Sequence, residues 1–532
     1  MVSDLSLPAV PPAAPAEPVV PPQVRDRDPR RWWALFALVP AVLCVGLDGT
    51  VLSVALPTLA QRLDASTGAL QWFVIAYTLA FAAALVPAGV LGDRWGRKPT
   101  LLVALGVFGL ASLACALATG PASFIAARAL LGLGGAAILP VALAMLPTLF
   151  DDDERPRAVT TLMAVTMLGF PIGPLLGGWL LAHAWWGWVF LMNLPVVVAG
   201  AVAVAVLLPP SRGSAAGRLD VPGVLTSAAC LALVSWGFTR AGEHGWTSPG
   251  ALALLVAGAL AGVAFVAGQR RRPGGLVDLR LFASPAFRSG TAVAVAVSFV
   301  MFGLLFAVPQ LAAYVRGADA QGAGLRLLPL IVGMIAAALP AEKVAARTGA
   351  RPVVVTGLAL LAAALAWGAL TPAGAPDLQA AGWVALAGAG LGLSLPIAMD
   401  AALGALPADA SGAGSALLQA LRMVGGSFGA ALLGGVLNAG YRAHLPGAAL
   451  AALPPEAADA VRSSVGGGAE VAAAAADPSL AVAVREAFVS GTAAMLAVCA
   501  LVALAVAVLA AITVPDTRSG AQGAGSGREL HA

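Results

Sequence analysis

The sequence predicts an all-α membrane protein of fourteen spans, and three observations predict it. Of the 532 residues, 60% are hydrophobic and 11% charged, with mean hydropathy +0.90. Soluble domains carry about 25% charged residues, and a water-soluble core could not hide this much apolar surface. Apolar runs of eighteen or more residues recur along the chain, each long enough to cross a ~30 Å hydrocarbon core as a helix. The runs are continuous rather than alternating. Of the two architectures that satisfy the backbone in lipid, helices and closed barrels, they select helices.

The elements follow in order. Residues 1–31 are Pro- and Ala-rich with no hydrophobic h-region, so they read as a disordered cytoplasmic tail rather than a signal peptide. Spans are expected at 33–57, 70–91, 100–119, 121–147, 159–182, 186–208, 221–241, 250–268, 288–312, 324–346, 351–371, 381–403, 414–437 and 488–513. The connection 438–487 is rich in Ala, Gly and Pro and predicts an ordered turn or two in an otherwise flexible loop. Residues 515–532 form a second polar tail.

An even span count puts both termini on one side, and Arg and Lys choose the side. With the termini inside, the inner segments hold twenty-one of the thirty Lys and Arg, and the outer segments hold seven. The remaining two, Arg128 and Arg422, fall within spans. This bias predicts cytoplasmic termini. Trp185, Trp186 and Trp188 would sit at the outer interface as an aromatic belt. The pI of about 9.2 therefore reports topology and no nucleic-acid partner. Cys44, Cys115, Cys230 and Cys499 lie apart in apolar runs and read as small core filler, without metal or disulfide spacing. The four His are equally scattered. No Walker loop, zinc-like His spacing or credible Ser/His/Asp set marks an enzyme or an ATP-driven pump.

Between spans 2 and 3 the chain reads GVLGDRWGRKPT, Gly89 to Thr100. By itself it is a tight polar turn with topogenic charge, its glycines allowing close helix ends and a sharp reversal. Its spacing and place resemble the signature loop of the major facilitator superfamily. That resemblance implies a cytoplasmic latch, stabilising one of two transport states, at Gly89, Gly92, Asp93, Arg94, Gly96, Arg97 and Lys98. A degenerate copy, EKVAARTGARP from Glu342 to Pro352, lies 253 residues on: Gly349 matches Gly96, Arg351 matches Lys98, and Ala346 replaces Asp93. The fold implied is two six-helix halves, 32–208 and 270–514, with two extra helices inserted at 209–269. This resembles the fourteen-span drug:proton antiporter branch, in which substrate binds between the halves near the midplane.

Span 5 contains GFPIGPLLGG. Small residues at such spacing are common where membrane helices pack. The cluster Gly169, Gly173, Pro174, Gly177 and Gly178 is also similar to the family's antiporter motif, which implies a bent, close-packed helix that keeps the pathway from leaking. The segment WWGWVFLMNLP resembles the family's helix-6 entrance, with Gly187 where Arg is usual.

A charge at the bilayer centre costs at least ~2.5–3.5 kcal/mol on insertion scales, so the buried charges are candidate functional groups. Asp48 lies roughly two thirds along span 1, toward the outside, in LDGTVLSVALP. This resembles the family's helix-1 motif with Ser53 in place of Asn. Arg128 lies in ARALLGLGGA, like the family's buried-arginine motif, with Leu131 where Gln is frequent. Burial raises a carboxylate's pKa and a nearby cation lowers it. Asp48, modulated by Arg128, could therefore take up a proton from outside and release it inside, competing with a cationic drug. A fixed Asp48–Arg128 ion pair joining spans 1 and 4 is the bland alternative. Arg422 is the charge of the second half, a coupling or substrate residue or a structural partner of Asp400. Asp151 to Glu154 read as a solvated cytoplasmic run, and Asp64 and Glu243 as interfacial charges.

The expectation is a monomeric, proton-coupled exporter of small hydrophobic or cationic compounds in the cytoplasmic membrane. It would use no cofactor and no metal beyond the proton gradient, and its partners would be substrate, protons and the lipid bilayer. A facilitator or importer of a small nutrient is the alternative, and the span-5 cluster argues against it.

Overall fold

The structure is a computed structural model and describes residues 31–151, 154–209, 220–271, 279–404, 406 and 411–514. The two tails lie outside these residues. Among the described residues every regular element is helical. The first half contains α1 (Arg31–Arg62), α2 (Thr67–Trp95), α3 (Arg97–Ala116), α4 (Pro121–Leu149), α5 (Arg155–His183) and α6 (Trp188–Leu207). Two inserted helices follow, α7 (Val221–His244) and α8 (Pro249–Arg271). The second half contains α9 (Pro285–Val315), α10 (Ala320–Thr348), α11 (Ala350–Ala369), α12 (Asp377–Gly404), α13 (Ser411–His444) and α14 (Pro478–Thr513). Thirteen of these are long and apolar enough to cross a membrane, and α5, at 29 residues, completes fourteen. The last turn of α9, Leu311–Val315, is π-helical, and α10 is interrupted by a turn at Arg326 and Leu327.

Each half has its own apolar core, one centred on α1 to α6 and one on α9 to α14. Phe306 of α9 joins the first core and Val54 of α1 joins the second, so these two helices knit the seam. At the end opposite the termini the halves are also joined by hydrogen bonds. Tyr314 donates to the Pro57 carbonyl at 3.3 Å and Thr67 to the Ser463 carbonyl at 3.0 Å.

The internal repeat has a structural counterpart. A single residue, Gly96, separates α2 from α3, and a single residue, Gly349, separates α10 from α11. Their φ angles are 104° and 96°, a region that side chains rarely tolerate. Each glycine N–H closes the preceding helix, Gly96 on Gly92 and Gly349 on Ala345. The following basic residue then reaches the end of the last helix of its own half. Lys98 Nζ donates to the carbonyls of Ala205 at 2.7 Å and Leu208 at 2.8 Å, and Arg351 Nε donates to Val514 at 2.7 Å. Cations there satisfy orphan carbonyls and complement the helix dipole.

The long connection between α13 and α14 differs from expectation. It is helical at Gly447–Ala451, Pro455–Ser463 and Val465–Ala474, while α13 runs on to His444 and α14 starts at Pro478. Prolines sit in the first turns of the Pro455 and Pro478 helices, and Ser464 and Asp477 accept capping bonds from backbone N–H groups. Buried Tyr441 anchors the segment by donating to the Val461 carbonyl at 2.8 Å. The alanine content that resembles a flexible linker is helix-forming once these caps and anchors are in place.

Candidate functional site

Asp48 falls just past the middle of α1, because the helix extends to Arg62. It is 0% exposed and Arg128 is 2% exposed. Arg128 Nη1 donates to both Asp48 carboxylate oxygens, at 3.0 and 2.8 Å. Its Nε donates to the Phe73 carbonyl at 3.0 Å, and its guanidinium lies 4.5 Å from the centre of the Tyr77 ring. Charge, hydrogen bonds and ring face together compensate a cation that lipid would not solvate. Tyr77, Cys44 and Cys115 are further titratable groups around the pair.

The α4 backbone makes this approach possible. A Cβ at Gly132 would collide with the Tyr77 carbonyl, and one at Gly135 would stand 3.3 Å from the Tyr77 hydroxyl. Arg128, Gly132 and Gly135 share one helical face. That spacing is readable in ARALLGLGGA as a close helix contact, but nothing in it names the partner helix, and Tyr77 and Phe73 carry no signal of their own.

Arg128 lines a cavity on the seam between the halves. Its walls are Gly49, Leu52 and Ser53 from α1, Val74, Tyr77 and Thr78 from α2, and Phe302, Leu305 and Phe306 from α9. Ser53, in place of an amide side chain, donates to the Thr50 carbonyl at 2.6 Å, and Leu131 is fully buried. A second opening, lined by Arg316, Thr371, Trp383 and Thr492 among others, lies wholly within the second half and away from Asp48.

The glycine cluster of α5 faces two ways. On one side Gly169, Gly173 and Gly177 lie along α1 from Gly46 to Val51, the stretch that carries Asp48. A Cβ on Gly169 would stand 2.7 Å from the Gly46 carbonyl carbon, and one on Gly173 would strike the Thr50 hydroxyl. On the other side Gly178 and Pro174 meet α10 of the second half: Gly178 faces Ala320, and the Pro174 carbonyl faces Gly324. The cluster thus joins the carboxylate's helix to the opposite half.

In the α2–α3 turn, Arg97 Nη1 donates to the Ala144 carbonyl at 2.5 Å. With Lys98 on α6, this fixes the turn against its own half. Gly92 gives α4 room near Val141, Gly89 faces open space, and Arg94 is exposed. The side chain of Asp93 lies outside the described residues.

Three expectations need correction. Arg422, 7% exposed, does not reach Asp400, which is exposed. It donates instead to Gln419 Oε1 at 2.9 Å, Ser298 Oγ at 3.3 Å and Met399 Sδ at 3.4 Å. Glu154 is not a free surface charge: Arg31 Nε meets it at 2.8 Å, tying the start of α1 to the start of α5. Asp152 and Asp153 lie outside the described residues. Glu243 is more than an interfacial charge, since it sits over Gly68 beside His244, and Arg442 donates to its carbonyl.

Residues 38–430 match the family model of the Major Facilitator Superfamily. The chain is 34% identical over 407 residues to the tetracenomycin C resistance and export protein of Streptomyces glaucescens, covering 76% of each chain. It is 32% identical over 490 residues to the multidrug efflux pump LfrA of Mycolicibacterium smegmatis, covering 91% of this chain and 96% of that one. It is 33% identical to the puromycin resistance protein pur8 of Streptomyces alboniger, over 81% of this chain and 86% of that one. Among solved structures, a bacterial homolog of the human lysosomal transporter Spinster, inward-facing and unoccupied, superposes with a TM-score of 0.66 at 18% identity. That match covers 92% of this chain and 98% of the other. With a helical architecture of two joined halves and a sequence match across most of both, the chain belongs to the Major Facilitator Superfamily.

Proposed function

We propose that the protein is a proton-driven exporter of lipophilic small molecules, an antiporter working by alternating access. The observation that carries this reading is the buried Asp48–Arg128 pair beside a cavity shared by both halves. In the arrangement described, the carboxylate is paired and the ends opposite the termini are joined. When the halves rock apart at that end, α1 moves relative to its neighbours, and Asp48 can exchange its bond to Arg128 for a proton from outside. Closure returns the pair and expels the proton inward. The names of the relatives, resistance and export proteins, support the direction of transport.

The remaining roles follow from position. Gly169, Gly173, Pro174, Gly177 and Gly178 let α5 couple α1 to α10 without a gap through which protons leak. The α2–α3 turn, from Gly89 to Lys98, acts as the conformational latch. The Lys and Arg bias supports cytoplasmic termini, in keeping with a protein of the cytoplasmic membrane. It works as a monomer, with the proton gradient as its energy source and no cofactor.

The test is efflux in proteoliposomes under an imposed pH gradient, comparing wild type with Asp48→Asn at matched reconstitution. Gradient-driven transport in wild type and its loss in the mutant support coupling through Asp48. Equal transport by both makes the pair structural. Equilibration of a solute without any response to the gradient replaces the antiporter with a facilitator.

A further inference from the structure

Three charged side chains are buried among the described residues: Asp48, Arg128 and Arg422. The first two neutralise each other. The third has neutral acceptors around it, the amide oxygen of Gln419, the hydroxyl of Ser298 and the sulfur of Met399. No described carboxylate lies within ion-pair distance of it. Among the described residues, one negative and two positive buried charges give a net charge of +1. A guanidinium keeps its charge under all physiological conditions, so this excess is permanent.

Its location gives the charge a use. Ser298 lies one turn before Phe302 on α9, and Phe302 lines the cavity beside Arg128. Gly426, one turn after Arg422 on α13, faces the Phe302 ring closely enough that a Cβ would stand 2.7 Å from it. Arg422 therefore sits one helical turn beyond Phe302, on the side of the chain termini. Met423 and Ala420 beside it touch the core of the first half, which places this stretch of α13 on the seam. A buried fork of donors without a counter-anion among the described residues, one turn from a cavity at the seam, matches an anionic group on a ligand better than a cationic one.

We propose that Arg422, oriented by Gln419 and Ser298, is an anion subsite, and that the transporter favours amphiphiles bearing a carboxylate, sulfonate or phenolate over amphiphilic cations. The apolar body of such a compound lies against Phe302, Leu305 and Phe306, and its anionic end meets the guanidinium. This refines the export reading and rests on it, and it replaces the expectation of cationic cargo.

The test uses two dyes with one scaffold and opposite charge, fluorescein (anion) and rhodamine 6G (cation). Binding to the full chain in zwitterionic-lipid nanodiscs is followed by fluorescence polarisation for wild type, Arg422→Gln and Arg422→Lys. Wild type binds fluorescein more tightly. Arg422→Gln weakens fluorescein binding roughly tenfold or more, as expected for a lost charge-assisted bond, and leaves rhodamine 6G unchanged or tighter. Arg422→Lys keeps the charge, loses the fork and falls between. The two dyes are compared on the same sample, so partial misfolding cancels from their ratio. A ratio unchanged by Arg422→Gln, a wild-type preference for rhodamine 6G, or binding of neither dye overturns the proposal. Gradient-driven transport of the same dyes separates it from the export reading. Arg422-dependent fluorescein binding without a response to the pH gradient keeps the subsite and removes the antiporter.

Discussion

Replacing Gly169 by Ala tests whether the approach of α5 to α1 sustains the site. The added Cβ would lie 2.7 Å from the Gly46 carbonyl carbon, 2.8 Å from Gly46 Cα and 2.9 Å from the Leu47 nitrogen. Comfortable separations for such atoms are ~3.5–4.0 Å. All three neighbours are backbone, so no side chain can rotate away, and α1 and α5 must part by several tenths of an ångström or more. Overpacking of this kind costs about 1–3 kcal/mol. Asp48 follows Leu47, so the displacement also loosens the carboxylate's grip on Arg128. Unfolding of the purified protein, followed by tryptophan fluorescence, should show that loss, and gradient-driven transport should slow. Gly49→Ala is the control on the same helix, because a Cβ there meets nothing within 4 Å. It should leave stability equal to wild type or raise it by up to ~1 kcal/mol, since Ala is the better helix former. Gly169→Ala behaving like Gly49→Ala would refute the close-contact argument.

Other expected outcomes concern single contacts. Arg128→Gln strands the Asp48 carboxylate in the core and should cost about 3–5 kcal/mol, whereas Asp48→Asn combined with Arg128→Gln should cost less than the sum of the two single changes in a double-mutant cycle. Lys98→Met removes the bonds to Ala205 and Leu208 at the end of α6 and should lower stability by about 1–3 kcal/mol, with faster amide exchange in the residues after Val204. Tyr441→Phe deletes the bond to Val461 and should cost about 0.5–1.5 kcal/mol, with earlier protease cutting between Gly447 and Ala474.

The parts of this architecture that local rules govern were legible in the sequence. Continuous apolar runs mark the spans because lipid forces backbone groups into helices. The tight turns at Gly96 and Gly349 were marked by their copied motif, since both require a residue without a Cβ. Asp48 and Arg128 stood out because a charge in an apolar run is costly. Helix rotation was not legible. Nothing in LLQALRMVGG says whether Arg422 faces Asp400 or Met399, and nothing in the apolar stretch of α9 from Phe299 to Val308 singles out Phe302 and Phe306. The segment between α13 and α14 was not legible as helix, because Ala, Gly and Pro describe both a linker and a capped short helix. The difference rests on the side-chain anchors Tyr441 and Thr67.

Two seams run between the halves on the flanks of the protein, and the inserted helices treat them unequally. Phe238 of α7 lies over Ile75, Ala430 and Ala431, and Gly242 of α7 touches Gly435, so the joint between α2 and α13 is roofed. Among the described residues the joint between α5 and α10 has no such roof, and Leu175 and Trp179 of α5 and Leu325 and Ile335 of α10 are exposed. A cage with true two-fold symmetry would present the bilayer with two equivalent flanks. Among the described residues the two flanks differ: one carries the inserted helix α7, and the other leaves the side chains of α5 and α10 facing the bilayer directly, so lipid solvates one joint between the halves and protein the other.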